Sequence, residues 1–363
     1  MADVGKWRMS ASDMQIDWQS IERVLVVRLR SIGDTVLATP SLIALRRFLP
    51  TARIDILLED WVAPLLDGSE HLDNVVSVGR SGPERFQIAR QLRKTRYDVA
   101  FNLHGGTTST FLTRATGARH RIGYANYRYA KLYTHSLSSS ADFWKRSPTH
   151  SAEQQLALLG YAGIPVEDRP KSRLPINANA VESVVDRLER IGISGSAASF
   201  ALMHPAAAFP TKRWPAANFG RAAEYLGSLG IATIAVASTD EAGILEELVS
   251  ASKVPITTFN DLTLPETTAL AARARIFIGN DSGIAHIAAA VKTPSVVIFG
   301  SSNRDHWRPW TDAPNELVFS EFACQPCPGY VCKEYGEPRC ILSVPPEYVI
   351  KAMERLLPGT AHR

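Results

Sequence analysis

An α/β architecture of two Rossmann-like domains is predicted by three observations. Short β-branched apolar runs alternate with helical patterns, the alternation halts at a proline-rich stretch, and it then restarts. The length, 363 residues, suits two domains of roughly 150 residues, each burying its own core.

The first run, VLVVRL (24–29), reads as a strand ending in a loop, RSIGD, followed by a helical pattern, TVLATPSLIALRRF, that stops at Pro50. RIDILLE (53–59) and NVVSV (74–78) read as further strands, then a helix around 84–96, then the strand-like DVAFNLHG (98–105). Residues 21–162 form the expected first domain. Pro165, Pro170 and Pro175 punctuate GIPVEDRPKSRLP, and prolines at this density suit neither a helix nor a central strand. Residues 163–177 are therefore the expected linker. Over 178–344 the alternation resumes: strands at FALMHPA, IATIAVAS, PITTFN, ARIFIGN and PSVVIFG, with helices at 215–230 and near 240–251, 265–273 and 283–291. A last helix, 345–357, is expected to reach back to the first domain. Parallel βαβ units place their ligand loops at the carboxyl ends of the strands.

Composition excludes whole classes. With 45% hydrophobic residues, 21% charged residues and 4 cysteines, the chain is neither disordered, collagen-like nor a disulfide scaffold. No apolar run reaches the roughly 18–20 residues that span a bilayer. Residues 1–20 are polar and lack a signal-peptide core, so a cytoplasmic location is expected. Net charge is +4 but uneven. Residues 1–175 carry 24 Lys+Arg against 17 Asp+Glu, and 176–363 carry 16 against 19. That asymmetry fits an anionic partner on the first half, or solvated surface alone.

Missing motifs narrow the chemistry. G-x-G-x-x-G, G-x-x-x-x-G-K-[ST], H-E-x-x-H, G-x-S-x-G and Asp-x-Asp are all absent. Three segments remain. GNDSGIAHIAAA (279–290) follows a strand and opens a helix, with Asp281 or Ser282 suited to the N-cap and Gly283 permitting close backbone approach. Free N–H groups at such a terminus suit a nucleotide diphosphate. His286 lies one turn past Ser282, on the same face or in the core. HPAAAFPTKRWP (204–215) carries Lys212 and Arg213, either a solvated pair or cations for phosphate oxygens. RSIGDTVLATP (30–40) places Asp34 near a helix start, as a cap or as a carboxylate able to take a proton from a hydroxyl.

Together RLRSIGDTVLATPSLIALRRFLP, RIGY (121–124), HPAAAFPTKRWP and DSGIAHIAAAVKTPSVVIFGSS resemble glycosyltransferase family 9, the ADP-heptose:lipopolysaccharide heptosyltransferases, over roughly residues 23–357. The resemblance implies a GT-B fold, with the acceptor in the first domain and the nucleotide sugar in the second. It also implies inverting transfer of heptose to a Kdo/heptose inner-core acceptor without metal or other cofactor. Asp34 becomes the general base. Lys212 takes the diphosphate with Arg213, and Asp281, Ser282, Gly283 and His286 complete the donor site. A free carboxylate, of pKa about 4 in general, is too weak to ionise a sugar hydroxyl beforehand, so such a base takes the proton late. The residues before the first strand extend beyond the family's usual start.

For the acceptor, RHRIGYANYRYAKLY (119–133) interleaves four tyrosines with basic residues, a composition suited to an acidic, lipid-linked glycan or to an ordinary loop. Arg30, Arg119, Arg121 and Tyr124 are the expected acceptor contacts. Nucleic acid is not an expected partner, given the weak net charge and absent binding motifs. RFQIARQLRKTR (85–96) reads as a crossover helix, or as a basic amphipathic helix meeting anionic lipid at the membrane's inner face. Cys324, Cys327, Cys332 and Cys340 all fall within 17 residues, as candidate metal ligands or as reduced thiols near the cleft. Other readings are a same-fold transferase for another sugar nucleotide or a protein acceptor, a nucleotide-sugar epimerase, which would need no acceptor, and a protein that only binds sugar nucleotides.

Overall fold

The computed structural model describes residues 16–193, 199–327 and 329–357; the polar stretch 1–15 lies outside them. The first sheet contains β1 (Arg23–Leu29), β2 (Arg53–Glu59), β3 (Asn74–Val78), β4 (Val99–Asn102), β5 (His120–Tyr124) and β6 (His135–Leu137). The second contains β7 (Phe200–His204), β8 (Ala232–Val236), β9 (Ile256–Phe259), β10 (Ile276–Asn280), β11 (Ser295–Phe299) and β12 (Asn315–Phe319). Their orders are β3-β2-β1-β4-β5-β6 and β12-β11-β10-β7-β8-β9, and the pairings are parallel. Each sheet thus reverses direction once, between β1 and β4 and between β7 and β10. In an open α/β sheet that reversal leaves a crevice beyond the carboxyl ends where ligands bind.

The central strands are continuous apolar runs because both of their faces are covered. β7 and β10 are buried at every residue. In the first half the helices are α1 (Ile32–Val36), α2 (Thr39–Phe48), α3 (Gly82–Thr95), α4 (Thr107–Ala115), α5 (Ser140–Trp144) and α6 (Ser151–Tyr161). The second half has α7 (Ala178–Arg190), α8 (Ala216–Ser228), α9 (Ala242–Ala251), α10 (Leu264–Arg273), α11 (Gly283–Ala290), α12 (Arg304–Trp307), α13 (Arg339–Leu342) and α14 (Pro346–Leu356).

Three differences from the sequence reading have physical causes. The pattern after β1 divides into α1 and α2, because Pro40 supplies no N–H and is accommodated in a first turn rather than a helix interior. β5, β6 and β12 were not foreseen; they are short edge or near-edge strands, and β5 lies inside the aromatic–basic stretch. The terminal helix α14 does not reach the first domain. Its apolar face, Val349, Ala352 and Met353, joins the core under the second sheet, and Arg221–Glu347 and Arg355–Glu316 ion pairs hold its ends.

The basic helix over 85–96 is α3, the crossover between β3 and β4. It is opened by a capping box of Ser81 and Glu84 and buries Leu92. Residues 163–177 contain no helix or strand. Among them Ser172 N donates to Trp310 O at 3.1 Å, and Trp310 Nε1 donates to Pro170 O at 2.8 Å. No helix among the described residues is long and apolar enough to cross a membrane.

Candidate active site between the two sheets

The first wall is built where β1 ends. Arg28 points off that strand and is nearly buried, and its guanidinium bonds the Leu103 carbonyl at the end of β4 and one oxygen of Asp34. Asp34, the third residue of α1, receives Ser31 Oγ on its other oxygen at 3.2 Å. Ser31 occupies the N-cap position, so Asp34 is not the cap; it is a carboxylate clamped by two partners, with 22% of its side chain open to the cleft. Arg30, beside it, is exposed. His104 follows β4 at the same crevice. Its pKa is pushed down to about 4 by burial, with the Arg28 guanidinium acting in the same direction, so the imidazole is neutral near pH 7.

The opposite wall is built where β7 and β10 end. Lys212 closes a short 3₁₀ turn, and its Nζ lies 2.8 Å from Asp281 Oδ2. Ser302 Oγ donates to the same oxygen at 2.5 Å. Ser282 sits at the N-cap of α11 with no side-chain cap bond; its Oγ lies 3.1 Å from His204 Nδ1. The first N–H groups of α11 are thus left for a ligand.

The two walls touch through glycines. A Cβ on Gly33 would lie 2.8 Å from His286 Cδ2, and one on Gly283 would lie 2.7 Å from Ile32 Cβ. His286 is buried, its Nδ1 has no hydrogen-bond partner, and burial lowers its pKa.

Between the walls lies a cavity of about 510 Å³. Asp34, Lys212, Asp281, Ser282, Gly283 and His286 all line it, so six of the expected catalytic and donor residues converge. Arg213 does not. Its Nε donates to Ala207 O at 2.8 Å, bracing the loop that carries Lys212, and it is absent from the cavity lining.

The expected acceptor set separates in the same way. Arg121 donates Nε to Leu132 O at 2.9 Å and a terminal nitrogen to Ala118 O at 2.5 Å, so its guanidinium ties down a loop. Tyr124 is buried, and its hydroxyl donates to Gln154 O at 2.5 Å. Arg119 precedes β5 and lies at the amino end of the first sheet, away from the crevice. Arg30 alone of the four stands at the cleft rim.

The four cysteines are free. Cys340 is buried, the other three half-buried. Burial raises the Cys340 pKa. Among the described residues no three His, Cys, Asp or Glu side chains are placed to hold a metal ion.

Several lining residues escaped the sequence reading. Val236 ends β8 and Ser238 and Glu241 follow it, while Leu262, Leu264 and Thr267 follow β9; together they form the end of the cavity remote from Asp34. They come from separate loops, and only the strand order joins them. Arg28 opens the segment RLRSIGD but was given no role there, and His104 belongs to no motif. Their one sequence signal is position, a polar residue at the carboxyl end of an apolar run.

The comparisons bear on the fold and the family. The model of Glycosyltransferase family 9 (heptosyltransferase) matches residues 85–336. Lipopolysaccharide heptosyltransferase 3 of Escherichia coli (strain K12) is 29% identical over 92% of this chain and 97% of its own. A glycosyl transferase family 9 structure from Veillonella parvula DSM 2008 superposes with a TM-score of 0.80 at 20% identity, covering 92% of this chain and 97% of that one. The E. coli heptosyltransferase WaaC with ADP-2-deoxy-2-fluoro heptose superposes at 0.68 with 17% identity, covering 92% of this chain and all of that one, 100%. Two parallel Rossmann-like sheets facing one cleft are the GT-B fold of a glycosyltransferase, and the chain belongs to glycosyltransferase family 9.

Proposed function

We propose that this enzyme transfers a heptose from ADP-heptose to the Kdo/heptose inner core of a lipopolysaccharide precursor, with inversion and without a metal ion, acting at the inner face of the membrane. The observation that carries the reading is that Asp34 and Lys212 open on one cavity from opposite domains. Family membership, and the E. coli relative that holds a fluorinated ADP-heptose, support the donor.

In this reading the nucleoside lies among Val236, Leu262 and Leu264, with Glu241 accepting from ribose hydroxyls. The diphosphate meets Lys212 and the N–H groups that open α11. Attack by the acceptor hydroxyl on the anomeric carbon expels the diphosphate oxygen from the opposite face, so charge builds where Lys212 lies. Asp34 takes the hydroxyl proton as the new bond forms. A carboxylate-held cation has little support at this position, because the carboxylate beside the diphosphate, Asp281, is already bonded to Lys212 and Ser302.

Calorimetric titration with ADP-heptose and with UDP- and GDP-sugars tests the donor; binding of a UDP- or GDP-sugar in preference would sink it. Full turnover in excess chelator is the expected outcome for metal independence. The anomeric configuration of the product, read by proton NMR, decides inversion.

A further inference from the structure

At the amino rim of the first sheet, remote from the cleft, positive charge converges. Arg23 and Arg53 open β1 and β2 and are register partners, so both side chains leave the same face of the sheet. α3 covers that face: its Leu92 packs with Leu25 and Val27, which alternate along β1 in phase with Arg23. Spaced four residues apart, Phe86, Arg90 and Lys94 share one exposed side of α3. The last turns of the helix thus bring Arg90 and Lys94 to the two strand arginines, around a pocket of about 540 Å³.

Gln87, Gln91 and Thr95 complete the lining, and no acidic side chain joins it. Among the described residues Arg53 alone of the four cations has a carboxylate partner, Asp55, which is buried and also accepts from the Tyr97 hydroxyl. Asp98, close by, is engaged by the backbone N–H groups of Glu22 and Arg23. Like charges gathered at one pocket repel, and an anion seated there relieves that cost.

Large apolar side chains stand exposed on the same layer. Phe86 on α3 is 65% exposed, Phe111 on α4 51% and Tyr129, between β5 and β6, 46%. The Phe111 and Tyr129 rings lie 5.2 Å apart, with the Arg128 guanidinium over Tyr129. α4 covers the same sheet face as α3, since its Leu112 packs in one group with Leu92. Residues 80–96 carry six basic side chains against one acidic. Rings beside clustered cations match an anionic bilayer surface, where aromatics sit at headgroup level and cations meet lipid phosphates.

We propose that the α3–α4 face of the first domain docks on an anionic lipid bilayer, with one lipid phosphate seated among Arg23, Arg53, Arg90 and Lys94. This rests on the transferase reading above, in which the acceptor is lipid-linked, and adds the surface that brings the enzyme to it. A soluble polyanion would use the cations but leave the rings without a partner.

The orientation suits the reaction. α3 leads from the carboxyl end of β3 to the amino end of β4, so it runs along the strands and antiparallel to them. Laid on the bilayer, it holds the sheet alongside the surface, one helix diameter of about 10–12 Å away. The cleft beyond the carboxyl ends then opens sideways, where a lipid-linked glycan reaches it with its acyl chains still in the membrane.

Co-sedimentation with vesicles tests the face. The full-length protein is expected to bind phosphatidylcholine vesicles containing about one-third phosphatidylglycerol, to ignore pure phosphatidylcholine, and to be released by salt. In Arg90→Gln/Lys94→Gln, both exposed positions, the partition coefficient is expected to fall about 30-fold, at about fivefold per cation, with an unchanged Tm. Phe86→Ala is expected to lower it about threefold, equally at low and high salt. In both variants turnover of an acceptor stripped of its acyl chains is expected to hold, while turnover of acceptor embedded in the anionic vesicles falls.

Equal binding to neutral and anionic vesicles, or wild-type binding by the double variant, overturns the docking face. So does failure to bind vesicles while calorimetry shows inorganic pyrophosphate bound by the wild type and not by the double variant, which would make the pocket a site for soluble phosphates. In each of these cases transfer to the stripped acceptor leaves the transferase reading standing. Absence of transfer to either form of the acceptor, by a protein that still binds the anionic vesicles, counts against that reading and not against the face.

Discussion

Lys212 Nζ lies 2.8 Å from Asp281 Oδ2 across the point where the second sheet reverses direction. The two residues follow β7 and β10, neighbouring strands, so their pairing is a direct product of strand order. Asp281 is the more buried partner and is held in turn by Ser302, which fixes the ammonium in the cavity before a ligand arrives.

Replacing Lys212 removes that fixed charge from the leaving group. A charge-assisted hydrogen bond contributes roughly 1.5–3 kcal/mol, so Lys212→Met is expected to lower kcat by about 10- to 150-fold if the bond is felt mainly in the transition state. Steady-state kinetics with saturating acceptor measure it. An unchanged kcat and donor KM would remove Lys212 from the reaction.

Asp34 is clamped by Arg28 and Ser31, and Asp34→Asn keeps its shape while removing its basicity. Loss of about 10²- to 10⁴-fold in kcat is expected, with ADP affinity unchanged. An epimerase that needs no acceptor, or a protein that only binds, would not show that split. Arg28→Met removes the other partner of the same mostly buried pair, so both variants are expected to lower the Tm, and only Asp34→Asn takes away the base itself.

The Gly33–Gly283 contact predicts that the two walls separate if either residue gains a side chain. Gly283→Ala places its Cβ 2.7 Å from Ile32 Cβ and 3.3 Å from Gly33 N. Overpacking of this kind costs about 1–3 kcal/mol, and here it is relieved by opening the cleft. Lower kcat with a nearly native Tm is expected, alongside a larger radius of gyration in solution scattering. A compact, fully active variant would show that the contact is not needed for turnover.

Acid should weaken the join between the halves. His150 accepts from Ala152 N at its Nδ1, 3.1 Å away, while its Nε2 donates to Arg308 O at 2.8 Å, so both ring nitrogens are used in the neutral form. Burial pushes its pKa down to about 3 from the ordinary 6.5, and the nearby His286, His306 and Arg308 add to the lowering. The unfolded chain therefore takes the proton first. The stabilisation is complete above about pH 6.5 and is lost progressively as pH falls toward 3. Tm is expected to fall between pH 6.5 and 4, and less steeply in His150→Gln, whose amide can mimic the neutral ring. His104 and His204, both near 4, leave a residual slope. Identical slopes in the two proteins would acquit His150.

How much of this was legible follows from where each residue stands. Asp34, Lys212 and Asp281 sit just beyond apolar runs, and parallel strands deliver such positions to one edge. The runs themselves, VLVVRL and IFIGN, are legible because both faces of a central strand are covered. Tyr124 and Arg121 misled because aromatic–basic interleaving also arises when a short strand buries one face and braces a loop with the other. Arg119 required knowing which end of β5 faces the cleft. Glu241 and Leu262 belong to loops far apart in sequence, and local pattern carries no information about strand order. α14 has the amphipathic pattern of any surface helix, which does not say which domain it covers.

The central claim is tested most directly by mass spectrometry of transfer itself. Purified protein is given ADP-heptose, or a UDP- or GDP-sugar, with a heptoseless Kdo–lipid A acceptor or its mono-heptosylated form. The expected result is the mass gain of one heptose on one of the two acceptors, only with the ADP donor and lost in Asp34→Asn. No gain on either acceptor, with ADP-heptose bound, would contradict transfer to the lipopolysaccharide core.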